Sequence, residues 1–120
     1  MKKTFQIIRD ITVEAHATKT VREQMLADYE RATGVMIVPQ NKETDMSPVS
    51  LSCKISQKEV LPQGTDAVLI TYNGNCSRKE CMYEFAKDEI PARSSNAELI
   101  FSNTSNSPIT FSFYFQLENK

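Results

Sequence analysis

Several stretches of the chain alternate apolar and polar residues with a period of two, the pattern of a strand that lays one face on a core. From Phe5 to Ala15 the odd positions read Phe5, Ile7, Arg9, Ile11, Val13 and Ala15. The even positions Gln6, Asp10, Thr12 and Glu14 are polar, with Ile8 the exception. This predicts a long, half-buried N-terminal strand. Val49, Leu51, Cys53 and Ile55 alternate with serines and Lys54, which points Cys53 inward. Ala97, Leu99 and Phe101 give another such run, and Tyr83 with Cys81 and Phe85 a shorter one ending before Pro91. The strongest is the last: Ile109, Phe111, Phe113, Phe115 and Leu117 share one face, with Thr110, Ser112, Tyr114 and Gln116 on the other.

The segment between the first two strong runs follows a different period. Val21, Met25, Tyr29 and Ala32 recur at spacings of three and four, as on one face of an amphipathic helix. Thr20 with Glu23 makes a capping box, and Gly34 stands where a helix would stop. The expectation is therefore a helix near residues 20–32. A strand over Lys19 to Leu26, followed by one helical turn through Asp28 to Arg31, is the alternative left open. Val35 to Val38 is a short apolar run closed by Pro39, and the polar Gln40 to Ser47 reads as a loop. Pro62 to Asp66 is turn chemistry, and the nearly unbroken hydrophobicity of Ala67 to Tyr72 predicts a strand covered on both faces. Seven or eight short strands in a chain of this length cannot bury their inner faces as one flat sheet. The fold class expected is mainly β: a single-domain antiparallel β-sandwich over residues 1–120, a jelly roll among its forms, with at most one helix near residues 20–32.

Composition supports a globular chain and narrows function little. In 120 residues, 14 Lys and Arg meet 15 Asp and Glu, for a net charge of −1, so no excess charge points to nucleic acid or an anionic membrane. Lys2 and Lys3 open the chain as a signal peptide would, but Arg9, Asp10 and Glu14 interrupt the apolar region, and no secretion signal is expected. No apolar run nears the roughly 20 residues of a membrane-spanning helix. The protein is expected to be soluble and made in a reducing cytosol.

Candidate chemistry is sparse. His16 is the one histidine and stands in a predicted turn, without a nucleophile motif such as G-x-S-x-G nearby. Cys76 and Cys81 are separated by four residues, against two in thioredoxin-like sites and many zinc knuckles. Four zinc ligands would need His16 and also Cys53, taken from the core face that its strand assigns it. Cys76 and Cys81 are read as free thiols, with a local disulfide open in an oxidising setting. Asn75-Cys76-Ser77 and Asn103-Thr104-Ser105 match the glycosylation pattern, and the phenylalanine stripe of the last strand would make a stacking platform were it not better read as core. Catalytic, cofactor-binding and metal residues are accordingly expected to be none.

Thr18-Lys19-Thr20-Val21 through Leu26, Asp28-Tyr29-Glu30-Arg31 and Thr33-Gly34-Val35-Met36-Ile37, preceded by a long first strand, resemble a recurring N-terminal arrangement in small phage virion proteins. About a third of the chain carries the resemblance. It implies a β-sandwich or jelly-roll capsid-associated protein with no enzyme activity, in which Thr20 to Leu26 is a strand. The function expected on this basis is that of a structural subunit of a bacteriophage virion: a minor capsid, vertex or decoration protein, made in the host cytoplasm. Its partners would be other virion proteins and copies of itself, with no nucleic acid and no membrane. The alternative is a β-sandwich domain that binds a carbohydrate or a host surface through the loops Gln40 to Ser47 and Asn73 to Glu80.

Overall fold

The computed structural model describes residues 2–41, 43–72, 82–85 and 90–119. Its strands are β1 (Lys2–Val13), β2 (Thr18–Gln24), β3 (Arg31–Pro39), β4 (Val49–Ile55), β5 (Lys58–Asp66), β6 (Tyr83–Glu84), β7 (Ile90–Pro91), β8 (Asn96–Asn103) and β9 (Ile109–Asn119). One sheet, A, runs β1-β9-β3 and ends on β6 and β7, which both pair with β3. The other, sheet B, runs β2-β8-β4-β5.

The pairing follows one rule along the whole chain. Lys2 faces Asn119, Thr18 faces Ser102, Gly34 faces Glu84, Ser50 faces Asp66, and Ile55 faces Lys58. Each strand of the first half thus pairs antiparallel with its mirror position in the second. The described strands form one long hairpin, closed at Ser56 and Gln57 and wrapped so that the strands on each side of that turn alternate between the two sheets. That wrapping gives the jelly-roll strand order, with β6 and β7 sharing one place.

The core lies between the sheets and is organised by aromatic rings. Phe101 on β8 meets Phe111 and Phe113 on β9 edge-to-face, with ring centroids 4.9 and 5.9 Å apart, and Phe113 continues to Phe115 at 5.0 Å. Around them Val35, Ile37, Leu51, Cys53, Ile55 and Leu99 are fully or almost fully buried. The phenylalanine stripe is therefore core, and Cys53 points inward as its alternation requires.

Three local expectations need correction. The segment predicted helical is strand β2, then a turn, then the start of β3. Its helical spacing is real, but β2 obtains a complete ladder from β8, from Thr18 against Ser102 to Gln24 against Asn96. Tertiary pairing overrides a local period that a marginal isolated helix could not hold. Met25, one of the supposed helical face, instead enters the core just past the strand end, and Ala32 does so from β3.

Ala67 to Ile70, predicted to be a strand covered on both faces, is a 3-10 turn. Ala67 and Ile70 are buried at its three-residue repeat, while Val68 and Leu69 stand 49% and 71% exposed. The turn carries the chain from the β5 edge of sheet B towards sheet A, where Tyr72 N–H donates to the Ile37 carbonyl at 2.7 Å.

The first strand is as long as its pattern indicates, but its faces exchange midway. Ile8 pairs with Phe113 and Ile11 with Phe111, so Arg9 and Asp10 together oppose Ser112 in a bulge. Asp10 takes a left-handed φ of 54° there, and its N–H donates to Ser112 Oγ at 3.3 Å. Beyond the bulge Ile11 and Val13 enter the core; before it, Ile8 does, while Phe5 and Ile7 lie on the outer face opposite Gln116 and Tyr114. Phe5 packs edge-to-face on Tyr114 at 6.2 Å and remains 42% exposed.

Candidate functional site

His16 sits in the β1-β2 turn with a left-handed φ of 54°. Its Nε2 lies 2.6 Å from Asn106 Oδ1, an oxygen that only accepts, so Nε2 carries the proton in this contact. The histidine joins the β1-β2 turn to the β8-β9 turn, and its N–H also donates to the Ser105 carbonyl at 3.2 Å. Cys53 is sealed in the core, where burial pushes its thiol up to about 12. It is not brought to His16 in its surface turn. Among the described residues no three His, Cys, Asp or Glu side chains gather as metal ligands. Cys76 and Cys81, and the loop Asn73 to Glu80, lie outside the described residues.

The other loop singled out in the sequence is folded upon itself. Asn41 Oδ1 accepts from Glu43 N–H at 3.0 Å and Thr44 Oγ1 at 3.1 Å, and Asp45 Oδ1 accepts from Ser47 N–H at 2.9 Å. The bonds from Ser47 hold the Asp45 carboxyl below the usual carboxylate range. Met46 between them is buried and pins the loop to the core.

A further group of polar side chains lies over the end of sheet B near the β4-β5 turn. An open groove of about 680 Å³ is lined there by Arg22, Glu23 and Gln24 of β2, Lys54 of β4, Gln57 of the turn, and Asn96, Ala97 and Glu98 of β8. Strand register builds it. Arg22, Glu98 and Lys54 form one row across three strands, with Arg22 Nε 3.2 Å from Glu98 Oε2, and Gln24 faces Asn96 in the next row. A comparable row crosses sheet A, where Glu118 stands between Lys3 at 3.9 Å and Arg31 at 3.5 Å. Sequence reasoning missed the groove because its parts come from three separated segments, and a cross-strand row has no signature within any one of them.

No protein-family model matches the chain, and no curated protein matches it. Among solved structures it is similar to an exo-beta-1,3-galactanase from Phanerochaete chrysosporium, determined with galactose, at 9% identity and a TM-score of 0.33. The match covers 95% of this chain and 27% of that one, so this chain spans about a quarter of that protein's length. A likeness of this degree carries no functional argument.

Proposed function

We propose that this domain is a structural subunit of a bacteriophage virion, a minor capsid, vertex or decoration protein. It acts through contacts with other virion proteins and with its own copies, and catalyses no reaction. The choice of particle rests on the resemblance of Thr18 to Ile37 to small virion proteins. Two features agree with it: Thr18–Gln24 is a strand where that resemblance implies one, and the jelly-roll order is one that viral capsid domains use, as lectin domains and cupins also do.

The observation that carries the reading is the outer edge of β1. Among the described residues this strand of 12 residues pairs with β9 alone. Its other edge presents backbone donors and acceptors in a row, the arrangement that accepts a strand from another chain. Phe5, Ile7 and Tyr114 lie on the outer face beside that edge and add apolar area to an interface, which needs about 1,000 Å² of total buried surface to be stable.

The test is to purify particles from an infected culture and search them for this chain by mass spectrometry. A constant ratio to the major shell protein through repeated purification is the expected result. A chain abundant in the cell extract and missing from purified virions would reject the proposal.

A further inference from the structure

Among the described residues the edges of the two sheets are β1, β2, β5 and the pair β6 and β7. All but β1 carry devices that block strand addition. β5 contains Pro62 and shifts register against β4, β2 presents Lys19, Arg22 and Glu23, and β6 and β7 are two residues long each. β1 is blunted only in its second half, where the bulge at Arg9 and Asp10 breaks it and Lys19 Nζ donates to the Thr12 carbonyl at 3.2 Å. From Lys2 to Ile8 its register with β9 is unbroken over seven residues. The Gln6 amide fixes this stretch from the inner side: Nε2 donates to the Gln24 carbonyl at 2.8 Å, and Oε1 accepts from Leu26 N–H at 3.0 Å. The open segment is thus ordered before any partner arrives, so pairing it costs little conformational entropy.

We infer that Lys2 to Ile8 pairs antiparallel with the same segment of a second copy of the chain, across a two-fold axis at Phe5. The inference deepens the reading of the β1 edge given above and rests on it. In a two-fold antiparallel pair, choosing the residue on the axis fixes every partner. Only an axis at Phe5 uses all seven open residues: Lys2 stands opposite Ile8, Lys3 opposite Ile7, Thr4 opposite Gln6, and Phe5 opposite its counterpart. An axis at Gln6 runs into the bulge and sets Lys3 against Arg9 of the second copy, a like-charge pair. With the axis at Phe5, an outer-face row across the joined sheets reads Glu118, Lys3, then Ile7 and Tyr114 of the second copy. Lys3 is matched by its own Glu118, so no uncompensated charge enters the contact. On the axis the two Phe5 rings, each 42% exposed and each already edge-to-face on its own Tyr114, cover one another. A foreign strand of arbitrary sequence would gain the main-chain bonds without this side-chain match.

The experiment is sedimentation equilibrium of the purified full chain at about 100 μM, beside Phe5→Lys, which sets two ammonium groups on the axis. The expected result is a dimer for the unaltered chain and a monomer for Phe5→Lys, with circular dichroism unchanged because Phe5 lies outside the core. Disulfide trapping reads the register, in a chain that carries Cys76→Ser and Cys81→Ser. Phe5→Cys is expected to cross-link on mild oxidation, since directly opposite Cα atoms lie about 4.5–5.5 Å apart. Ile7→Cys is expected not to, being displaced from its counterpart by roughly 13 Å along the strand. A monomeric unaltered chain at that concentration would overturn the inference and leave the virion reading to the particle assay. A dimer that persists in Phe5→Lys, or one trapped at Ile7 and not at Phe5, would put the contact elsewhere and overturn it as well.

Discussion

The Asn103 side chain donates from Nδ2 to the Val13 carbonyl at 3.0 Å, tying the end of β8 in one sheet to the end of β1 in the other. The same nitrogen donates to the Ser107 carbonyl at 2.8 Å, and Oδ1 accepts from the N–H and hydroxyl of Ser105 at 2.9 and 2.7 Å. All of its bonding capacity is used at a buried position. The Asn103-Thr104-Ser105 glycosylation pattern is thus occupied by a structural amide. Asn103→Ala is expected to cost about 2–3 kcal/mol, because the Val13 carbonyl and the Ser105 N–H lose their hydrogen bonds to the amide. Urea unfolding checks this, with Asn106→Ala, at an exposed position, shifting stability by no more than about 0.5 kcal/mol.

Phe113→Ala should be more damaging, at about 3–5 kcal/mol, since the ring is fully buried and touches both Phe101 and Phe115. Gln116, which alternation places on the polar face, is itself buried and donates from Nε2 to Thr33 Oγ1 at 2.9 Å. Gln116→Ala is expected to cost about 1 kcal/mol rather than nothing. Denaturant midpoints for the two variants give the comparison.

Gly34 pairs with Glu84 of β6 in sheet A. A Cβ there would stand 2.9 Å from the Tyr83 carbonyl oxygen and 3.0 Å from the Met82 side chain. Gly34→Ala should therefore destabilise by roughly 1–3 kcal/mol, as overpacking does. Faster amide hydrogen exchange at Phe85, whose N–H donates to the Thr33 carbonyl at 2.9 Å, would locate the damage at this strand.

Cys53 gives a pH dependence with a definite sign. Its folded value near 12 is above the ordinary 9.0, so both states carry the proton below pH 9 and the thiol adds no dependence there. Between about 9 and 12 the unfolded chain ionises and the folded one does not. Stability then falls by up to about 1.4 kcal/mol per pH unit from this group. The alkaline slope should be reduced in Cys53→Val, measured by denaturant unfolding across that range.

The β4-β5 turn supplies a stabilising substitution. With Ser56 and Gln57 both at positive φ, Gln57→Gly is expected to raise stability by about 0.5–1 kcal/mol. A thermal melt that moves down instead would show that Gln57 makes a compensating contact.

The runs Val49 to Ile55 and Ile109 to Leu117 were legible as strands because a half-buried strand writes its period of two into consecutive residues. Their number and brevity further implied two packed sheets, and the inward placement of Cys53 followed from the same alternation. Tertiary structure alone decided that Thr18–Gln24 is a strand, because its stabilising ladder is supplied by β8, nearly 80 residues away. It also decided that Ala67 to Ile70 turns between sheets, and that a bulge at Asp10 moves Phe5 and Ile7 to the outer face while leaving Ile11 in the core. The groove is of the same kind: Arg22, Lys54, Gln57 and Asn96 meet only through register. Periodicity records what one segment needs to bury, whereas pairing, bulges and cross-strand rows depend on which distant segment arrives beside it.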